Sequence, residues 1–296
     1  MRGYLYLALS ATGFGFMPYF AVEAYRAGLT VPTLLFFRFA LAAVLLFGYA
    51  AARRSLSRPR PADLALTFAL GGIGYALMSS FYFTAVQFIS PSLTTLLLYL
   101  YPALVAAGSA VLARARLGGR IALALLLTFA GTALAAGPIG GAQAFGVICG
   151  LAAAVTYSCY ILLGDRVPTT LSPLVLSAYV CAFAAITLGA HGLARGELHL
   201  QLPTAAWPSV LLVAMVSTVL AVALFFAGLP LVGATRAAIV STLEPAVNVA
   251  AGAWVYGQTI SAPQLVGTVL VLAGACLGVL AGRPLHEPAR RSEPAL

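Results

Sequence analysis

Two residues charged at neutral pH stand deep inside long apolar runs of this 296-residue chain, Arg38 in LLFFRFALAAVLLF and Glu244 in IVSTLEPAVNVAAGAW. A charge in such a setting is expensive unless it is paired or hydrated, so each is a candidate binding group. They face either a shared cavity or each other, the second being a structural ion pair. Ser241, Glu244 and Asn248 stand at i, i+3 and i+7, which is one face of a helix. A polar stripe there faces protein or water. Pro245 has no N–H and its ring crowds the turn before it, so the Ser241 carbonyl loses its helical partner. That free acceptor is either a ligand contact or the lip of a packing kink capped by a hydroxyl. Pro102 allows the same two readings.

Aromatic hydroxyls form the second group. Tyr75, Ser79 and Tyr82 stand at i, i+4 and i+7, Tyr157 and Tyr160 lie one turn apart, and Tyr101 precedes Pro102. A cavity lined this way suits a small amphipathic solute with an apolar part. The expected substrate-binding residues are therefore Arg38, Tyr75, Ser79, Tyr82, Tyr101, Tyr157, Ser241, Glu244 and Asn248, with Pro102 and Pro245 as helix breaks that serve gating. Tyr4, Tyr49 and Tyr256 fall near the ends of runs and read as an interfacial belt. Gly71, Gly72 and Gly74 permit close helix contact or a hinge. Catalytic chemistry is not expected. Cys149, Cys159, Cys181 and Cys276 lie inside runs, His191, His199 and His286 are far apart, and no zinc spacing, phosphate-cradling loop or nucleophile elbow occurs. No metal and no cofactor are implied.

The elements that must carry these groups follow from composition. With 62% hydrophobic and 8% charged residues and a mean hydropathy of +1.01, the chain cannot build a water-soluble surface. Ten apolar runs, 3–22, 32–51, 63–88, 91–113, 119–137, 144–163, 173–192, 207–229, 234–256 and 263–281, are long enough to cross about 30 Å of hydrocarbon. They are continuously apolar rather than alternating, which selects helices over a barrel. The expected fold is an all-α membrane protein of ten transmembrane helices. Arg2 and the apolar stretch after it could be a cleavable signal peptide. However, LSATGFGF at 9–16 occupies, to within one residue, the place in its half that LAAAVTYS at 151–158 occupies in the other, so the run reads as a retained first helix.

That correspondence is part of a repeat. At an offset of 143, residues 81–137 superpose on 224–280 without gaps, placing Phe83 on Phe226, Pro102 on Pro245, Ala110 on Ala253 and Gly131 on Gly274. Proline-broken apolar helices at matching places in two halves are the mark of an internally duplicated transporter. All sixteen basic residues are Arg. With the N-terminus in the cytoplasm, thirteen lie on the inner side, Arg26 and Arg195 lie outside, and Arg38 is within a span. The net charge of +9 is therefore a topology signal and needs no nucleic-acid partner. Five helices per half is odd, so the second copy must be upside down, and equivalent loops should differ in charge. The loop with Arg114, Arg116 and Arg120 indeed maps onto residues 257–263, which include Gly257, Gln258 and Pro263 and no charge. Two inverted five-helix repeats are expected at 1–140 and 141–282, followed by a disordered cytoplasmic tail at 283–296.

The segment FFAGLPLVGATRAAIVSTLEPAVNVAAGAWVYGQTISAPQLVGTVLVLAGACLGVL resembles the helix 8–10 signature of the EamA family in the drug/metabolite transporter superfamily. ATGFGFMPYF, LLFFRFALAAVLLF and YLYPALVAAGSAVLA resemble the same pattern in the first half. The resemblance covers about residues 5–281 and implies a bacterial ten-helix secondary transporter, in many members an exporter of amino acids or other metabolites. It implies a substrate path between the halves, in the cytoplasmic membrane. Two positions depart from the pattern: Tyr101 stands where the family commonly has Glu before Pro, and Gly257-Gln258 replaces the acid after helix 9. Alternating access is the expected mechanism. Glu244 is a candidate proton-coupling group, and the expected partners are the lipid bilayer and a small-molecule substrate. A sugar, nucleotide-sugar or cationic-drug carrier is the alternative within the superfamily. A membrane enzyme or lipid-handling protein would require clustered His, Asp or Glu at one face, which the sequence lacks. The residues do not set the oligomeric state.

Overall fold

A computed structural model describes residues 1–56, 58–112, 118–136, 141–166, 171–232, 237 and 240–281. The predicted tail, Arg114, Arg116, Arg236 and His286 lie outside these residues. With collinear segments joined, the helices are α1 (Arg2–Arg26), α2 (Val31–Ala52), α3 (Pro61–Phe88), α4 (Pro91–Leu112), α5 (Gly119–Ala136), α6 (Gly141–Arg166), α7 (Pro173–Ala194), α8 (Thr204–Val232), α9 (Leu243–Trp254) and α10 (Ala262–Ala281). Eight of them, all but α5 and α9, are long and apolar enough to cross a membrane. Their ends exceed the apolar runs where polar side chains stabilise another turn. In α1, for example, Arg26 pairs with Glu23 at 2.8 Å and carries the helix past residue 22.

Helix starts are written locally. Thr30, Ser90 and Ser172 each accept a hydrogen bond from the backbone N–H three residues on, and each is followed within the first turn by a proline. Breaks are also local and recur at the repeat offset. α4 is interrupted at Tyr99–Leu100 and the chain into α9 at Thr242, in each case two or three residues before Pro102 or Pro245. π-helical stretches occupy Phe68–Tyr75 in α3 and Leu212–Leu220 in α8, and Tyr75 and Thr218 are 143 apart. Such widened turns tend to occur at functional positions.

Packing repeats in the same way. A Cβ on Gly3 would meet Leu231 at 2.7 Å, and one on Gly146 would meet Phe88 at 2.8 Å. These are equivalent contacts of α1 with α8 and of α6 with α3. α5 lies against α10 backbone to backbone: a Cβ on Gly131 would stand 2.7 Å from the Gly267 carbonyl, and one on Gly274 2.8 Å from that of Ala124. Contacts between equivalent helices run in opposite directions. Pro32 meets Gly192 while Ala50 clusters with Val175, so α2 and α7 are antiparallel. Gly131 with Gly267 and Ala124 with Gly274 set α5 and α10 antiparallel too. Outward-facing apolar side chains such as Val44, Leu126, Ile186 and Val269 give the bundle a surface suited to lipid.

Candidate functional site

A cavity of about 540 Å³ lies among the helices. Its wall at mid-bundle is made by Phe14 (α1), Tyr75 (α3), Tyr99 and Tyr101 (α4), Tyr157 and Tyr160 (α6), Thr218 (α8) and Glu244 (α9). From there it runs to Leu171 and Pro173 at the start of α7, where Pro173 is exposed. That is the end of the bundle where α2 finishes and the exposed Arg53, Arg54, Arg58 and Arg60 lie. Three pairs of repeat-equivalent residues, Phe14 with Tyr157, Tyr75 with Thr218 and Tyr101 with Glu244, line the same space. Only residues close to the axis relating two halves can meet their own counterparts around one cavity. The members of each pair differ, so the site is symmetric in position and asymmetric in chemistry.

The tyrosines form a continuous aromatic wall. Ring centroids lie 5.7 Å apart for Tyr99–Tyr101, 4.8 Å for Tyr101–Tyr157, 5.9 Å for Tyr157–Tyr160 and 5.5 Å for Tyr160–Tyr75. Tyr99 also closes the break in α9. Its hydroxyl donates to the Ser241 carbonyl at 2.6 Å and to Glu244 Oε2 at 3.1 Å. The acceptor released by Pro245 is thus capped by a hydroxyl, and one hydrogen is divided between a carbonyl and a carboxylate. The Ser241 hydroxyl itself turns back to the Ala237 carbonyl at 3.0 Å.

Of the residues expected from the sequence, Tyr75, Tyr101, Tyr157, Ser241 and Glu244 line this cavity, and Arg38, Ser79, Tyr82 and Asn248 do not. Arg38 is 2% exposed. Its Nε donates to Thr218 Oγ1 at 2.9 Å, and its guanidinium lies 4.8 Å and 5.2 Å from the ring centroids of Phe39 and Phe83. It has no ion pair with Glu244, because the hydroxyl in the widened turn of α8 and the two aromatic faces take up its charge first. Tyr82 is buried with its hydroxyl 3.1 Å from Thr95 Oγ1, and the Ser79 hydroxyl is buried without a partner among the described residues. Tyr75 and Tyr82 are separated by about 10 Å along α3, and the cavity reaches only the Tyr75 end.

The stripe on α9 divides in the same way. Glu244 meets the cavity, and Asn248, one turn further on, is fully buried with Nδ2 donating to the Gly15 carbonyl at 2.8 Å. The Tyr19 hydroxyl donates to the Asn248 carbonyl at 2.9 Å and lies 3.2 Å from Ser92 Oγ, and its ring stacks on Tyr256 at 4.4 Å. These contacts join α1, α4 and α9 at the end away from Arg53, Arg54, Arg58 and Arg60. Tyr256, read from its position as a belt residue, is therefore a packing partner of Tyr19. Sequence reasoning missed Tyr99, Phe14, Thr218 and Tyr19. Adding or subtracting 143 from Tyr157 and Tyr75 would have found Phe14 and Thr218, whereas no pattern marks Tyr19. Among the described residues no group of three or more His, Cys, Asp or Glu converges as a metal site would require.

A family model described as the EamA-like transporter family matches residues 1–137 and 144–280, two segments that begin 143 apart. An uncharacterized transporter of Archaeoglobus fulgidus is 28% identical over 193 residues, spanning 65% of this chain and 68% of that protein. A protein of known crystal structure superposes with a TM-score of 0.60 at 22% identity, covering 94% of this chain and 96% of its own. At that identity the likeness speaks for the fold alone.

Proposed function

The chain belongs to the EamA-like transporter family of the drug/metabolite transporter superfamily, an integral membrane protein, and we propose that it carries small metabolites by alternating access between two inverted five-helix repeats. The observation that carries this reading is the cavity whose wall holds both members of three repeat pairs. A site on the relating axis stays in place when the halves rock about it, which is what alternating access requires. In this reading the chain crosses the cytoplasmic membrane ten times, α5 and α9 included, with both termini and the arginine-bearing end in the cytoplasm. The state described here is then inward-facing, sealed on the outer side by Tyr19, Ser92 and Asn248. Tyr75, Tyr101, Tyr157 and Glu244 bind the solute, and the breaks at Pro102 and Pro245 let α4 and α9 flex.

Export is the direction that the family resemblance favours, with amino acids among the candidate substrates. Glu244 is the proposed coupling group, because it is the one carboxyl group among the described lining residues and a proton can take the place of a solute there. A nucleotide sugar fits less well, since none of those lining residues is basic. Purified protein in liposomes preloaded with unlabelled amino acids, sugars or organic amines should take up the matching labelled solute by counterflow. Exchange of none of them would remove the transporter reading. PH-gradient-driven transport left intact by Glu244→Gln would remove the proton role and leave a facilitator.

A further inference from the structure

We infer that the solute carried through this cavity is an amphipathic organic cation, its charged nitrogen held by Glu244 and its apolar body by the tyrosine wall; this deepens the transporter reading and rests on it. Glu244 lies deep in the bundle, yet its one protein hydrogen-bond donor among the described residues is the Tyr99 hydroxyl. That donor is already engaged more closely by the Ser241 carbonyl. A carboxylate left with half a hydrogen bond is poorly compensated for its desolvation, and a positively charged guest supplies the missing counter-charge. The obvious internal candidate, Arg38, makes no ion pair with Glu244 and is held by Thr218, the Tyr75 hydroxyl and the faces of Phe39 and Phe83.

The rest of the wall points to the same guest. Four of the tyrosines that line it, Tyr101, Tyr157, Tyr160 and Tyr75, follow one another with successive centroids less than 6 Å apart. Aromatic faces attract a cation through the ring quadrupole and bury its alkyl or aryl part at the same time. A zwitterion would satisfy Glu244 with its ammonium but would find hydroxyls alone for its carboxylate, at Thr218, Ser177, Ser241 and the tyrosines. The cationic amine that remains when an amino acid lacks its carboxylate fits better. The Arg38 guanidinium, one layer behind Thr218, disfavours a second positive charge, so a monocation is the expected class.

Four probes that share one ring and differ in charge separate the possibilities: 2-phenylethylammonium, phenylalanine, 3-phenylpropionate and 2-phenylethanol. Each would be titrated into the purified full chain in detergent, followed by thermal stabilisation, and each would be tested for counterflow in liposomes. The ammonium should bind at least about tenfold more tightly than the other three. Glu244→Gln should remove that advantage, and Glu244→Asp should keep part of it; both variants are first checked for wild-type elution and helix content. Tyr157→Leu, which keeps the charge and removes a ring, should weaken the ammonium more than the alcohol. Tighter binding of phenylalanine or 3-phenylpropionate, equal binding of the alcohol, or no binding of any probe would overturn the cation assignment. Counterflow of any solute in the wider panel would keep the transporter reading whichever charge is preferred, so the two failures are distinguishable.

Discussion

The two halves of this protein agree at several positions where the backbone is at issue and differ at the paired positions around the cavity. Gly131 and Gly274 sit equally tightly against the opposite helix, Pro102 and Pro245 follow equivalent breaks, and α3 and α8 widen at equivalent turns. Around the cavity the pairs diverge: Phe14 against Tyr157, Tyr75 against Thr218, Tyr101 against Glu244. Arg38 likewise stands opposite Cys181, which lines the cavity while Arg38 lies behind it. Duplication preserves what makes two halves pack and move alike, since a change there strains both the helix and its neighbour. It leaves the axial positions free to specialise, because a guest needs its counter-charge once.

The largest effect should come from moving that charge. Glu244→Tyr makes the two halves alike at this position and should lower cation binding about a hundredfold, from the loss of a charge-assisted contact. Adding Tyr101→Glu to that variant puts a carboxylate back across the axis, and partial recovery of binding is the expected result. No recovery would show that the two positions are not equivalent in the cavity. Next come the helix contacts. Gly131→Ala and Gly274→Ala should each destabilise by about 2 kcal/mol in thermal or denaturant unfolding, since each new methyl meets backbone on the partner helix. Gly119→Ala, with nothing within 4 Å, is the control. Clearly unequal costs at 131 and 274 would break the symmetry of the packing.

A smaller effect is expected at the sealed end. Asn248→Val copies Val105 of the first half and removes the bond from Nδ2 to Gly15. It should raise maleimide labelling of a cysteine at Thr95, buried one turn further in than Ser92, about tenfold, as expected for the loss of one buried hydrogen bond that holds this end shut. Unchanged labelling would mean that the Tyr19 contacts seal it unaided. The smallest change is Ser79→Ala, which removes a buried hydroxyl that has no partner among the described residues and whose counterpart in the second half is Val222. It should stabilise by about 1 kcal/mol, read as a higher unfolding temperature.

Much of this was legible in the residues. The apolar runs, the offset of 143, and Glu244 with Pro245 as a charged, broken point in α9 are all local or periodic signals, and local signals survive in a linear string. Tyr99 was not legible as the cap of the α9 break, because its partner lies 142 residues away and nothing in YLYP says which carbonyl it will reach. The division of the Ser241–Glu244–Asn248 stripe between a cavity and a seal was hidden too. Periodicity says which face is polar, but not how far along that face an opening extends.

The sequence by itself determined a helical membrane chain written twice, with its helix starts, its breaks and a single acid deep in the second copy. These follow from hydropathy, proline chemistry and spacing, which act within a few residues of each other. Only the tertiary structure decided that Arg38 turns to Thr218 rather than to Glu244, and that the carboxylate is left facing a wall of tyrosines with half a hydrogen bond. Which of several buried partners meets a long polar side chain depends on helix rotation and packing across the bundle. Those are set by the sum of many apolar contacts and not by the charged residue itself.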